Sequence, residues 1–162
     1  MQLLKANLIS LVFASVGILI GLQIYTFQFA EGFSYFSSDP RACINCHIMQ
    51  SQYDSWLKSG HKHAAACNDC HMPEGLVAKL MAKASNGYHH SKGFTLQDFP
   101  EPILIKESNS RILQASCVRC HDQVTHMVQA NTAVYPGAEM RCVKCHADVG
   151  HGNTPGMGRV AD

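Results

Sequence analysis

Four copies of Cys-x-x-Cys-His contain every cysteine of this chain: Cys43, Cys46 and His47; Cys67, Cys70 and His71; Cys117, Cys120 and His121; Cys142, Cys145 and His146. Two thiols at this spacing reach the two vinyl groups of one porphyrin, and the adjacent imidazole is placed to ligate its iron. A zinc site and a disulfide framework are the competing uses of such cysteines. Four repeats that each end in His, with no cysteine left over, favour neither. The chemistry read from the spacing is that of four covalently attached haem c groups.

Each motif histidine supplies one axial ligand by default, leaving His61, His63, His89, His90, His126 and His151 as candidates for the opposite side of the iron. An imidazole pair gives a low-potential haem, whereas thioether ligation raises the potential. A surface histidine is often merely solvated, so position must decide among them. Lys83 and His90 form a second group with chemical use. They fall on one helical face, together with Lys79, if Gly87 does not interrupt the helix.

That helix is expected to start at Pro73-Glu74 and to carry Leu76, Val77, Leu80, Met81 and Ala84 as an apolar face. Such a pattern fits a core helix with solvated lysines, or an interfacial helix with its apolar face in lipid. Ser108-Asn109-Ser110 is expected to cap a short helix running from Arg111 into the third motif. Phe99 to Pro102 reads as a loop. The tail from Gly150 reads as irregular except where a ligand pins it, with His151 the candidate.

Between Lys5 and Glu31 there is no charged residue. At about 1.5 Å per residue this stretch can cross a bilayer core of roughly 30 Å. A cleaved signal peptide is the alternative, but the apolar run exceeds the usual signal core and no Ala-x-Ala site follows it. With Lys5 on the N-terminal side, the positive-inside rule sends residue 31 onward outward, giving a single-pass inner-membrane protein with its haem domain in the periplasm. The expected division is 1–30 as cytoplasmic N-terminus and anchor and 31–162 as one tetrahaem domain, with 31–90 and 105–155 as possible dihaem units. The first cysteines lie at 43, 67, 117 and 142, so the second pair of motifs repeats the first at offsets of 74 and 75 residues.

So short an exported segment cannot build a large protein-only core beside four porphyrins. The fold class expected is mainly α with extensive loops: one transmembrane helix plus a compact multihaem cytochrome c domain, with sparse regular structure. A net charge of +1 and the lack of a basic run exclude nucleic acid as a partner.

The chain resembles the NapC/NirT family of membrane-anchored tetrahaem quinol dehydrogenases, most closely its compact members, the small subunits of cytochrome c nitrite reductase. Carrying the resemblance are the anchor, the four motifs, Ile48-Met49 after the first motif, Ser59-Gly60-His61, Cys67-Asn68-Asp69-Cys70-His71, Ala78-Lys79-Leu80, and His151 shortly after Cys145-His146. It implies that Met49 ligates the first haem in place of His47, the choice the residues alone would favour. It also implies His151 as second ligand of the His71 haem and His61 as second ligand of the His121 haem. The His146 haem is then left for a partner's lysine, with His63 and His126 as local candidates. His90 stands where some relatives place a carboxylate, which makes it an alternative ligand of the first iron.

The function implied is menaquinol oxidation at Lys83 and His90, with electrons passed to a pentahaem nitrite reductase subunit in a complex containing a second copy of this chain. Periplasmic nitrate reductase or another terminal reductase is the alternative acceptor. A plain electron carrier, and a haem that itself reduces nitrite or hydroxylamine, are the remaining readings.

Overall fold

The computed structural model describes residues 2–45, 47–132, 141–152 and 160–161, with side chains described from 7 to 45, 48 to 127 and 141 to 152. It divides into two compact units, 1–37 and 38–162.

The first unit is built on helix α1, Gln2–Phe29. Its stretch Asn7–Phe29 has a mean hydropathy of 2.2 over the most apolar window, long and apolar enough to cross a membrane. Leu8, Leu11, Val12, Ile18, Leu19 and Leu22 are all exposed, so the helix is apolar around its circumference rather than along one stripe. The hydroxyl of Ser15 is satisfied inside the helix by the Leu11 carbonyl at 2.8 Å. After α1 the chain reverses at Glu31, whose φ of 49° is left-handed. A short 3-10 helix, Gly32–Phe36, then returns so closely that a Cβ on Gly32 would run into the Phe27 ring.

In the second unit, 3-10 turns at Pro40–Asn45 and His47–Met49 lead into α2, Gln50–Leu57. A further turn, Gly60–His63, follows, and Trp56 Nε1 donates to the Ala65 carbonyl at 3.0 Å, closing this loop. Helix α3, Cys67–His71, is the second haem motif itself. Helix α4, Leu76–Leu96, begins after Gly75, whose φ of 83° is a conformation glycine adopts freely. Pro73 and Glu74 therefore precede the helix rather than start it. Helix α4 runs through Gly87 without interruption.

Strand β1, Ile105–Lys106, feeds directly into α5, Glu107–Cys120, and α6, Asp122–Thr132, follows. A 3-10 turn at Cys142–Lys144 carries the fourth motif, and β2, Val160–Ala161, pairs in parallel with β1. The end of the chain is therefore not wholly irregular.

The expected cap at Ser108-Asn109-Ser110 is corrected, because α5 already begins at Glu107. Two of those polar side chains serve tertiary bonds instead. Asn109 Nδ2 donates to Asn86 Oδ1 of α4 at 3.0 Å, and Ser110 accepts from Arg141 at 2.7 Å. The expectation of sparse regular structure is corrected too, since helices dominate the described chain. The fold class is mainly α, as expected. No apolar side chain among the described residues is fully buried.

Candidate haem and quinol sites

The four motifs sit on different local structures. The first occupies consecutive 3-10 turns, the second is α3, the third is the last turn of α5, and the fourth is a 3-10 turn. Cys46 and the side chain of His47 lie outside the described residues. The other seven cysteines are unpaired by disulfides and at least partly accessible. Consecutive motifs approach one another through their sulfurs. Cys43 and Cys67 are hydrogen-bonded, which draws the Cys43 thiol down to about 7 and pushes Cys67 up. Cys70 lies within electrostatic reach of Cys120, and Cys117 is hydrogen-bonded to Cys142. In the haem-loaded protein these sulfurs are thioethers, so the contacts matter for their order along the chain: first to second, second to third, third to fourth.

Two pairs of imidazoles face each other. The rings of His71 and His151 are stacked with centroids 5.9 Å apart, and those of His61 and His121 stand 6.1 Å apart at 71°. Two imidazoles bound to opposite sides of one metal at about 2 Å each have ligating nitrogens about 4 Å apart. Adding half a ring on either side brings the centroids to about 6 Å.

The far nitrogens are also held. The Nδ1 of His151 lies 3.0 Å from the Gln52 carbonyl, and that of His61 lies 3.3 Å from the Val149 carbonyl. An Nδ1–H donated to a carbonyl leaves Nε2 unprotonated, the state in which it would ligate an iron. Burial, with the nearby His151 second, lowers His71 to about 4, so its ring is neutral and its lone pair available. This donor set, and a unit with no apolar core of its own among the described residues, fit four covalently bound porphyrins.

Among the described residues no ring is placed opposite His146, which is exposed. His63 and His126 are exposed as well, and His126 lies on α6. Met49 is half-buried at the end of the His47–Met49 turn.

On α4, Lys79, Lys83, Asn86 and His90 follow one another at helical spacing and share a face. The Asn86 bond to Asn109 turns that face toward α5. Val77, Met81 and Tyr88 occupy the opposite side and are exposed, while the exposed Leu76 lies one turn before Lys79 at the edge of the Lys83 face. Lys83 is lowered by burial first and by Lys79 second, with the Cys43 thiolate opposing. A thioether at Cys43 carries no charge, so haem attachment removes that opposition. His90 is lowered by desolvation, then by Lys106 and His89, although much of its surface is exposed.

The carbonyl partners Gln52 and Val149 were not legible in the sequence, since any residue type can offer a backbone carbonyl. Arg119 was missed also. Its Nη2 donates to the Asp69 carbonyl at 2.8 Å, joining the third motif to the second.

Four haem-attachment motifs on short helices and turns, with facing imidazole pairs, define a multihaem cytochrome c. The family model of the NapC/NirT cytochrome c family, N-terminal region, matches residues 4–157, and the chain belongs to that family. It is 35% identical to the cytochrome c-type protein NrfH of Wolinella succinogenes, across 90% of this chain and 86% of the relative. It is 33% identical to the cytochrome c nitrite reductase subunit NrfH of Nitratidesulfovibrio vulgaris, across 75% of this chain and 72% of that one. A solved structure, the cytochrome c nitrite reductase NrfHA complex bound to the inhibitor HQNO, contains a chain that superposes with a TM-score of 0.61 at 30% identity. That match covers 90% of this chain and 98% of the other.

Proposed function

We propose that this protein is a membrane-anchored quinol dehydrogenase that oxidises menaquinol and delivers the electrons to a nitrite reductase catalytic subunit, itself a pentahaem cytochrome c. The observation that carries the reading is the inward face of α4, where Lys83 is partly desolvated and within electrostatic reach of Cys43 in the first haem motif. The likeness to NrfH proteins and to the NrfHA complex supports the partner.

Quinol oxidation releases two protons and two electrons, so the site needs a proton acceptor beside an electron acceptor. Haem c, when bound, supplies one-electron acceptance. Lys83 takes a proton from the quinol hydroxyl, which a lysine does near neutral pH only when its ammonium form is disfavoured. His90, two turns further along the same face, takes the second proton or passes one on. The exposed apolar side of α4, with Val77, Met81 and Tyr88, lies in the lipid interface from which quinol arrives, and Leu76 borders the Lys83 face. Helix α1 anchors the protein in the inner membrane, and the haem domain faces the periplasm.

Met49 ligates the first haem iron, with His47 and His90 as alternatives. His71 with His151, and His61 with His121, would hold the second and third. His146 would hold the fourth, with the opposite position left to the partner. Electrons travel in motif order, following the sulfur contacts from Cys43–Cys67 to Cys117–Cys142. The complex contains a second copy of this chain.

The test is stopped-flow reduction of the detergent-solubilised protein by a menaquinol analogue, comparing intact protein with Lys83→Ala and Met49→Ala. Rapid reduction that collapses in both variants is expected. An intact protein that dithionite reduces but the quinol analogue does not would make this chain a carrier without a quinol site.

A further inference from the structure

The fourth motif carries its cysteine Cys145, Lys144 and His146 on the surface, yet its first residues are held tightly. Arg141, immediately before Cys142, has a side chain only 10% exposed. Its Nη1 donates at 2.7 Å to the hydroxyl of Ser110, a residue 2% exposed, and its Nη2 donates at 2.6 Å to Glu107 Oε1. Glu107 Oε1 also accepts from Arg111 Nε at 3.1 Å. The next backbone N–H, that of Cys142, donates to Gln114 Oε1 at 2.9 Å. Glu107, Ser110, Arg111 and Gln114 all belong to α5, the helix that ends in the third motif. One rigid helix therefore grips the start of the fourth motif and presents the third.

We propose that Glu107 and Arg141 are positioning residues of the fourth haem: the clamp seats its motif on α5, and the carboxylate cancels the guanidinium charge so that the pair sets the haem's reduction potential. The proposal rests on the haem reading above and not on the identity of the quinol or of the terminal acceptor. A guanidinium fork makes the two divergent bonds at once, which an ammonium point charge does not reproduce. A charge beside a partly desolvated redox centre acts through a lower dielectric than water, so an unbalanced one changes the ease of electron addition. Removing Glu107's charge leaves a cation beside Cys142 and favours the reduced haem. Removing Arg141's charge takes a cation from beside Cys142, leaving Glu107 paired with Arg111, and favours the oxidised haem.

The experiment is spectroelectrochemical titration of the full-length, haem-loaded protein in detergent, with haem counted per chain, for wild type, Glu107→Gln, Arg141→Met and Arg141→Lys. One midpoint of the four is expected to rise in Glu107→Gln and to fall in Arg141→Met, while the other three hold. Arg141→Lys, which keeps the charge but not the fork, is expected to hold the midpoint closer to wild type than Arg141→Met does, and if one neutral variant loses the fourth haem the other carries the electrostatic test. Shifts of the same sign in both neutral variants, no shift in either, or a shift in Arg141→Lys as large as in Arg141→Met would overturn the proposal. Fewer than four haems in the wild type would instead overturn the haem reading.

Discussion

The middle of this molecule and its two ends are built differently. Around the second and third motifs, every imidazole singled out as a ligand faces another, His71 with His151 and His121 with His61, and the non-motif ring of each pair lies against a backbone carbonyl. At the fourth, no ring is placed opposite the exposed His146 among the described residues; at the first, the side chain of His47 lies outside them and Met49 is half-buried. A haem closed on both sides exchanges electrons without binding anything. A haem open on one side can meet a substrate or a partner's side chain. On the ligation proposed above, the difference teaches that exchange with the outside belongs to the two ends and the relay lies between them.

The largest effect that would break this contrast is the opening of a middle haem. His151→Ala or His61→Ala is expected to add one carbon monoxide-binding haem per chain after dithionite reduction, measured by difference spectroscopy. An unchanged stoichiometry would sink the proposed pairing. At the entry end, Lys83→Ala is expected to slow haem reduction by the quinol analogue about a hundredfold, the range for loss of a proton acceptor, while leaving dithionite reduction as in wild type.

Between second and third motifs the effect is smaller. Arg119→Leu removes the bond to the Asp69 carbonyl, worth about 1 kcal/mol, and is expected to lower the melting temperature by about 3 °C. Arg119→Lys, which can still donate, should recover part of it. No change on scanning calorimetry would mean that solvent replaces the bond without loss.

The smallest effect concerns pH at the exit end. Arg141 first and Arg111 second hold the Glu107 carboxyl well below the usual glutamate range, at about 2. A carboxylate lowered in the folded state contributes its full stabilisation above the unfolded glutamate pKa and loses it as pH falls toward the folded value. The melting temperature gap between wild type and Glu107→Gln, expected to be about 2 °C near neutrality, should therefore close between about pH 5 and pH 2. A gap that persists at the acid end would show that the charge is not its source.

Much of the site was legible because it is local. A Cys-x-x-Cys-His motif contains its own reactive sulfurs and a ligand within five residues, so no fold is needed to read it. The uncharged run before Glu31 is equally self-contained. Helix α4 was legible in its periodicity, although its start was displaced by the left-handed turn at Gly75. Ser108-Asn109-Ser110 misled for a physical reason. Short polar side chains cap helices and also reach other helices, and here Asn109 and Ser110 are engaged by Asn86 and Arg141.

The sequence by itself determined the haem chemistry and the apolar anchor segment, because covalent reactivity and hydropathy are properties of neighbouring residues. The residues alone left the histidine pairing open and the resemblance supplied it; only the tertiary structure decided which carbonyls lie against the paired rings, and that Arg141 is gripped by α5. Those are contacts between residues far apart in the chain, and in each the partner is a backbone carbonyl or a common side chain whose identity carries no signal until the helices bring it within 3.5 Å.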